Sequence, residues 1–307
     1  MALSLSSVFS STSPELPRRV LGSTGIDVSA LGLGAAPLGD PALTDAAATR
    51  LVHEALALGV RVFDTAPSYG KSEERLGYAL RGRRHGAVVV TKGGYGVPGA
   101  EDWTPEAIEG GIDRALATLG TDYLDVFLLH SCGLDLLTSG KLLEPLQRAK
   151  AAGKVRAIGY SGDGEPLAWV VANGNVDVIE CSVSFVDQEA LFASIPAAHA
   201  AGVGVIAKRP LANAPWTHTD RPAREDIATY WDRMQTFFPG GARDLALDEL
   251  AVRFAAFADG VDCAVLGTRQ PHHLERALRC LARGPLPTML LTSLRAHYEQ
   301  QAWPAII

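Results

Sequence analysis

Short apolar runs rich in β-branched residues alternate with longer amphipathic stretches, and the alternation repeats eight times along the chain. The runs are SALGLG ending at Gly34, VRVFDTA at Ala66, AVVVTKG at Gly93, YLDVFLLH at His130, VRAIGYS at Ser161, VDVIECS at Ser182, GVIAKRP at Pro210 and CAVLGTR at Arg269. They are nearly continuous, which is the pattern of parallel strands covered on both faces. Eight such strand–helix units predict an α/β protein of the closed (β/α)8 TIM-barrel type. A doubly wound sheet would carry a G-x-G-x-x-G turn after its first strand, and GLGAAPLG at that place does not supply it. Thr44, Ser72, Thr104 and Asp163 are candidate helix N-caps, while Gly59, Gly120, Gly153 and Gly202 stand where helices should end. A long loop, residues 212–244, follows the seventh strand, and a loop of that length at the C-terminal rim of a barrel is usually functional.

Composition narrows the partners. The chain has 307 residues, 47% of them hydrophobic and 20% charged, enough apolar side chain for a large core. Its 34 acidic and 28 basic residues are spread without blocks, giving a net charge of −6 and no stripe suited to nucleic acid or anionic lipid. No apolar run reaches membrane-spanning length. The four cysteines, Cys132, Cys181, Cys263 and Cys280, lie far apart with no C-x-x-C pair, so neither a disulfide framework nor a metal site is indicated. Reduced thiols in the cytoplasm are expected. The Ser-rich residues 1–16 read as a disordered tail, and residues 17–307 as a single barrel domain.

In a barrel of this kind the active site is assembled at the C-terminal ends of the strands. The second strand offers Asp64 with Tyr69 in its loop, the third Lys92 and the fourth His130. Singly, each has a structural explanation: a loop cap, a packed ring, a snorkelling amine, a satisfied core imidazole. Jointly, on three consecutive strands, they suit carbonyl reduction, in which hydride adds to carbon and the oxygen must receive a proton. A phenol can give that proton, a neighbouring ammonium should lower its pKa, a carboxylate can hold the ammonium, and an imidazole can polarise the carbonyl.

With these motifs the sequence resembles the aldo-keto reductase family from about Leu16 to Leu281. RRVLGSTGIDVSALGLGAAPLG looks like its N-terminal β-hairpin plug and first strand; GVRVFDTAPSYGKSEERLGYAL, VVVTKGG and LGTDYLDVFLLH resemble its Asp-to-Tyr, lysine and histidine segments. GKVRAIGYS and AVLGTRQPHHLERAL follow in order. The resemblance implies Asp64, Tyr69, Lys92 and His130 as a catalytic tetrad, and NAD(P)H bound without a Rossmann fingerprint. It implies cofactor contacts from Ser161, Glu180, Lys208, Arg209, Leu211, Gly267, Thr268, Arg269 and His273.

The departures are chemical. Gly162 stands where the family usually has Asn, so one carboxamide contact is lost or passes to Asp163. Glu180 replaces the family's Gln and Lys208 its nicotinamide-stacking aromatic. A pair between them would spare both from isolation, leaving Phe185 or Trp216 to stack on the nicotinamide. Arg269 at a strand-to-helix turn suits a 2′-phosphate and favours NADP(H) over NAD(H), although His273 replaces a further arginine. Tyr95, Trp103, Cys132, Trp216 and Trp231 are candidates for the wall of a carbonyl or alcohol pocket. The expected function is an NADP(H)-dependent carbonyl oxidoreductase. The alternatives are a cofactor-binding regulatory module of the channel β-subunit kind and an NAD-dependent sugar dehydrogenase. Loop identity does not reveal the substrate, and oligomeric state is open.

Overall fold

The computed structural model describes residues 16–237, 245–301, 303 and 306. An antiparallel hairpin, β1 (Arg18–Val20) and β2 (Asp27–Ser29), precedes eight parallel strands: β3 (Leu31–Gly34), β4 (Val62–Asp64), β5 (Val88–Gly93), β6 (Leu124–His130), β7 (Val155–Ser161), β8 (Val178–Ser182), β9 (Gly204–Lys208) and β10 (Cys263–Gly267). They hydrogen-bond in chain order, and β10 closes on β3 to make the barrel. All eight predicted runs are therefore strands, shortened at their ends. The predicted tail falls, Leu16 apart, outside the described residues; Leu16 itself is buried.

Two cores follow from the period-two geometry of strands. Val62, Val88, Val90, Val126, Leu128, Ala157, Val178, Ile206, Cys263 and Val265 fill the barrel, and Leu21, Ile26 and Val28 of the hairpin close its lower end. The alternate residues, such as Phe63, Val89, Phe127 and Ile179, pack outward with the helices. Following the inward files upward by twos, those of β4 to β9 end on a polar side chain, whereas the β10 file, Cys263 and Val265, ends on Gly267. Val62 leads to Asp64, Val90 to Lys92, Leu128 to His130, Ala157 to Ser161, Val178 to Glu180 and Ile206 to Lys208. The lower barrel is thus dry and its rim is charged.

Two predicted caps form as expected, with Thr44 and Thr104 accepting from the amides of Ala47 and Ala107. Two do not. Lys71 takes the cap position before Ser72, whose hydroxyl donates to the Ala35 carbonyl (2.8 Å). Asp163 caps nothing with its side chain, which turns to β8 instead. The insertion after β9 is also not merely a loop. It folds into a helix, Glu225–Phe237, whose buried Ile227, Tyr230, Met234 and Phe237 recur at helical spacing. That periodicity was present in the sequence but lay between turn-forming segments.

Candidate functional site

The rim encloses a cavity of about 610 Å3 lined by Asp64, Tyr69, His130, Ser161, Glu180 and Lys208, among others. Tyr69 reaches it because its loop lies directly on the turn after β3: a Cβ on Gly39 would come within 1.6 Å of the Tyr69 carbonyl oxygen. Only glycine allows that approach. Tyr69 and His130 meet edge to face, with ring centroids 6.0 Å apart.

Lys92 is the hub. Its ammonium is 1% exposed and bonds to the Asp64 carboxylate and the Thr65 carbonyl (3.2 Å), 5.6 Å from the centre of the Tyr69 ring. It also reaches across the barrel to Glu180, Nζ to Oε2 3.3 Å. This last contact is a charge contact without hydrogen-bond geometry; Oε1 accepts from the Ser161 hydroxyl (3.1 Å), and the protonated Asp64 carboxyl gives Glu180 a further hydrogen bond. Two carboxylates and one ammonium therefore share a buried site. Burial, reinforced by the charge of Glu180, raises the Asp64 pKa to about 8; Glu180 is held below its ordinary value, because Lys92 and Lys208 outweigh its burial.

Lys92 was expected to lower the Tyr69 pKa. It does act in that direction, but burial is the larger effect and Asp64 and Glu180 add to it, so the pKa lies above its ordinary value. The phenol stays protonated across the neutral range, which suits a proton donor. Burial, helped by Lys92, lowers the His130 pKa to about 4, so the imidazole is neutral. Tyr95 proves to be its partner: the hydroxyl lies 2.6 Å from His130 Nδ1 and 2.9 Å from the Ser68 hydroxyl. That contact fixes the ring and couples its tautomer to the hydroxyl pair. Trp103 stands behind Tyr95, ring centroids 5.7 Å apart, and does not line the cavity.

The expected pairing of Glu180 with Lys208 does not occur. Strand register gives the reason: Glu180 is level with Ile206, and Lys208 lies two residues higher, level with Ser182. Lys208 instead pairs with Asp163 at 3.0 Å. The same carboxylate accepts from the Ser182 amide (2.6 Å) and hydroxyl (3.2 Å), so it is not free to replace the missing asparagine. Gly162 has its own cause. The Tyr160 hydroxyl bonds to the Cys132 carbonyl (2.8 Å), and a Cβ at residue 162 would lie 2.4 Å from that hydroxyl. Cys132 is buried, and its thiol pKa is raised to about 12 by burial.

Neither aromatic proposed to stack on nicotinamide reaches the cavity. Phe185 is fully buried against Phe237, ring centroids 5.6 Å apart, and Trp216 lines a second cavity of about 460 Å3 with His273 and Arg276. Trp231 bonds to the His218 carbonyl (3.3 Å) at the surface. The second cavity shares Leu211, Ala214, Leu266 and Gly267 with the first, so one groove runs from the tetrad to the β10 turn. Arg209, Asn213 and Ala214 line it with left-handed backbone (φ 53°, 59° and 53°), and the buried Ala212 beside them has the same conformation (49°). Backbone in this strained region is a common feature of ligand-binding turns. At the far end Thr268 meets His273 Nδ1 (2.9 Å), Arg269 pairs with Asp40 (2.5 Å), and Arg276 pairs with Asp248. The residues present fit a long ligand with a hydrogen-bond donor at one end, for the Glu180 carboxylate that lines the cavity, and a polar group at the other. Among the described residues no cluster suits a metal ion, and no helix is long and apolar enough to cross a membrane. All four cysteines are free and buried.

Known proteins resemble this chain in sequence and fold. Over 211 residues the chain is 38% identical to L-galactose dehydrogenase of Arabidopsis thaliana, a match covering 63% of this chain and 65% of that protein. It is 28% identical over 247 residues to the NADH-specific methylglyoxal reductase of Escherichia coli, covering 73% and 72%. A solved aldo-keto reductase from Bacillus halodurans, in its holo form, superposes with a TM-score of 0.79 at 26% identity, over 95% of this chain and 98% of that one. Residues 30–299 match the sequence profile of the Aldo/keto reductase family, and with the hairpin-plugged barrel and its charged rim this establishes that the chain belongs to that family.

Proposed function

We propose that the protein interconverts a carbonyl compound and its alcohol, with Tyr69 as proton donor to the carbonyl oxygen. The observation that carries this reading is the junction at Lys92, which Asp64 holds 5.6 Å from the Tyr69 ring in a cavity that also receives His130. A nicotinamide dinucleotide, when bound, would supply or accept the hydride. The protein's own residues hold and move the proton. Tyr69, protonated through its burial, gives it to the nascent alkoxide. Lys92 stabilises the phenolate that remains, Asp64 orients Lys92, and neutral His130, braced by Tyr95, directs its other nitrogen to the substrate oxygen. Ser161 and Glu180 would hold the carboxamide end; Arg209, Leu211, Gly267 and Thr268 line or border the groove toward the phosphates.

For the dinucleotide, NADP(H) rests on Arg269 giving up Asp40 for a 2′-phosphate. A second reading, NAD(H), is favoured by a specific observation: Arg269 and Arg276 each already hold a carboxylate, which would repel a phosphate but accept from a ribose hydroxyl. One relative is named as NADH-specific. A small polar substrate, a single barrel domain and a cytoplasmic setting complete the proposal. Titration with NADPH and NADH, followed by the reduced-nicotinamide absorbance with panels of aldehydes and of sugars, tests it. Turnover of either panel with either nucleotide is expected; no binding of either nucleotide overturns it.

A further inference from the structure

Glu180 is the rim carboxylate that the proton-transfer scheme does not use. It is 1% exposed, faces the cavity, accepts from the Ser161 hydroxyl and shares a hydrogen bond with Asp64 while that acid holds its proton. Its Oε2 lies against Lys92 as a charge contact. A glutamine here would leave Lys92 balanced by Asp64 alone. With Glu180, one ammonium faces two carboxylates, and the cluster carries an excess negative charge when both are ionised. The neighbouring cations are each engaged with another partner. Lys208, which still acts on Glu180, pairs with Asp163. Arg209 bonds to Tyr230 and faces Asp163 and Asp187, and Arg224 pairs with Asp226, while His130 is neutral and Tyr69 is protonated.

We propose that Glu180 makes the site selective for the oxidised, cationic form of the nicotinamide cofactor over the reduced, neutral form. The inference rests on the functional reading above, in which the nicotinamide end of the dinucleotide occupies this cavity. The two forms differ there by one positive charge, and a buried carboxylate facing the cavity interacts with that difference directly. A unit charge acting over roughly 10 Å at an effective dielectric of about 20 changes an affinity by about tenfold or somewhat more.

The test is calorimetric titration of the full chain with NAD+, NADH, NADP+ and NADPH at pH 9, above the value of about 8 to which Asp64 is raised. The wild-type protein should bind the oxidised form of its preferred dinucleotide more tightly than the reduced form. Glu180→Gln should shift the ratio of the two dissociation constants about tenfold toward the reduced form. Glu180→Asp, which keeps the charge, should retain the wild-type preference. Tighter wild-type binding of the reduced form, or an unchanged ratio in a Glu180→Gln protein that binds both forms, overturns the inference and leaves the functional reading intact. Failure of wild type to bind any of the four overturns both.

Discussion

The two sides of the barrel mouth treat charge differently. On β4, β5 and β6 the strand-end groups converge: Asp64 and His130 line one cavity, Lys92 lies buried behind Asp64, and Tyr69 arrives from the loop to meet them. On β8, β9 and β10 the strand-end charges disperse to other partners, with Lys208 on Asp163 and Arg269 on Asp40, while Glu180 crosses the lumen to Lys92. Strand ends on the first side thus build a reacting centre, and those on the second leave most of their charge already paired. A ligand entering on the first side meets groups poised for it. On the second side it must displace an existing partner or meet what faces the cavity, chiefly the carboxylate of Glu180.

The sharpest way to break this contrast is to remove the one group that the first side supplies to chemistry. Tyr69→Phe keeps the ring against His130 and deletes the hydroxyl. Turnover should fall by about 10²–10⁴-fold, the range for loss of a positioned general acid, with nucleotide affinity within about twofold of wild type. Steady-state rates and a binding titration on the same preparation check both halves of that statement. Retained turnover would take Tyr69 out of the proton-donor role.

The next test asks whether Lys92 is indeed shared by two carboxylates. Asp64, raised to about 8, and Asp187, raised to about 7, keep protons in the folded protein that unfolded carboxylates have lost by about pH 5. The native state then binds more protons than the unfolded state, so stability falls as pH rises toward these values. His130, lowered to about 4, adds nothing above the ordinary imidazole value, since both states are then neutral. Between pH 6.5 and 8 the unfolding free energy should drop by about 1–2 kcal/mol, measured by urea denaturation. Asp64→Asn should remove part of the drop. A flat profile in the wild type would mean that Asp64 is ionised throughout and that Lys92 satisfies both acids.

The same contrast marks what the sequence could reveal. The first side was legible because its groups are local and periodic: two-residue spacing carries Val88 and Val90 to Lys92, and Val126 and Leu128 to His130. The second side depends on register and on partners remote in sequence. Nothing along the chain states that Lys208 is level with Ser182 and within reach of Asp163, or that Lys92 is long enough to meet Glu180 from the opposite wall. Gly162 looked like a lost contact, yet it is the space required by Tyr160. Tyr95 was read as a pocket wall because its tie to His130 crosses from one strand's loop to the next strand's end. The direction of the Tyr69 shift was missed for a related reason. The sign of one neighbour is readable from residue type, whereas the larger desolvation is a property of the packed site.

The smallest expected effect lies at the far end of the groove. The Arg269–Asp40 pair is half-exposed, and pairs of this kind are worth about 0–1 kcal/mol. Asp40→Asn removes the carboxylate and leaves Arg269 free to accept a 2′-phosphate. NADPH affinity should then rise by up to about fivefold relative to NADH, read by parallel titrations at low salt. The gain should shrink at high salt, where an exposed arginine–phosphate contact is screened. An NADPH/NADH ratio that does not move would show that Arg269 never faces the ribose. The groove's second cavity, with Arg276 and His273, would then be the place to look for the residue that distinguishes the two nucleotides.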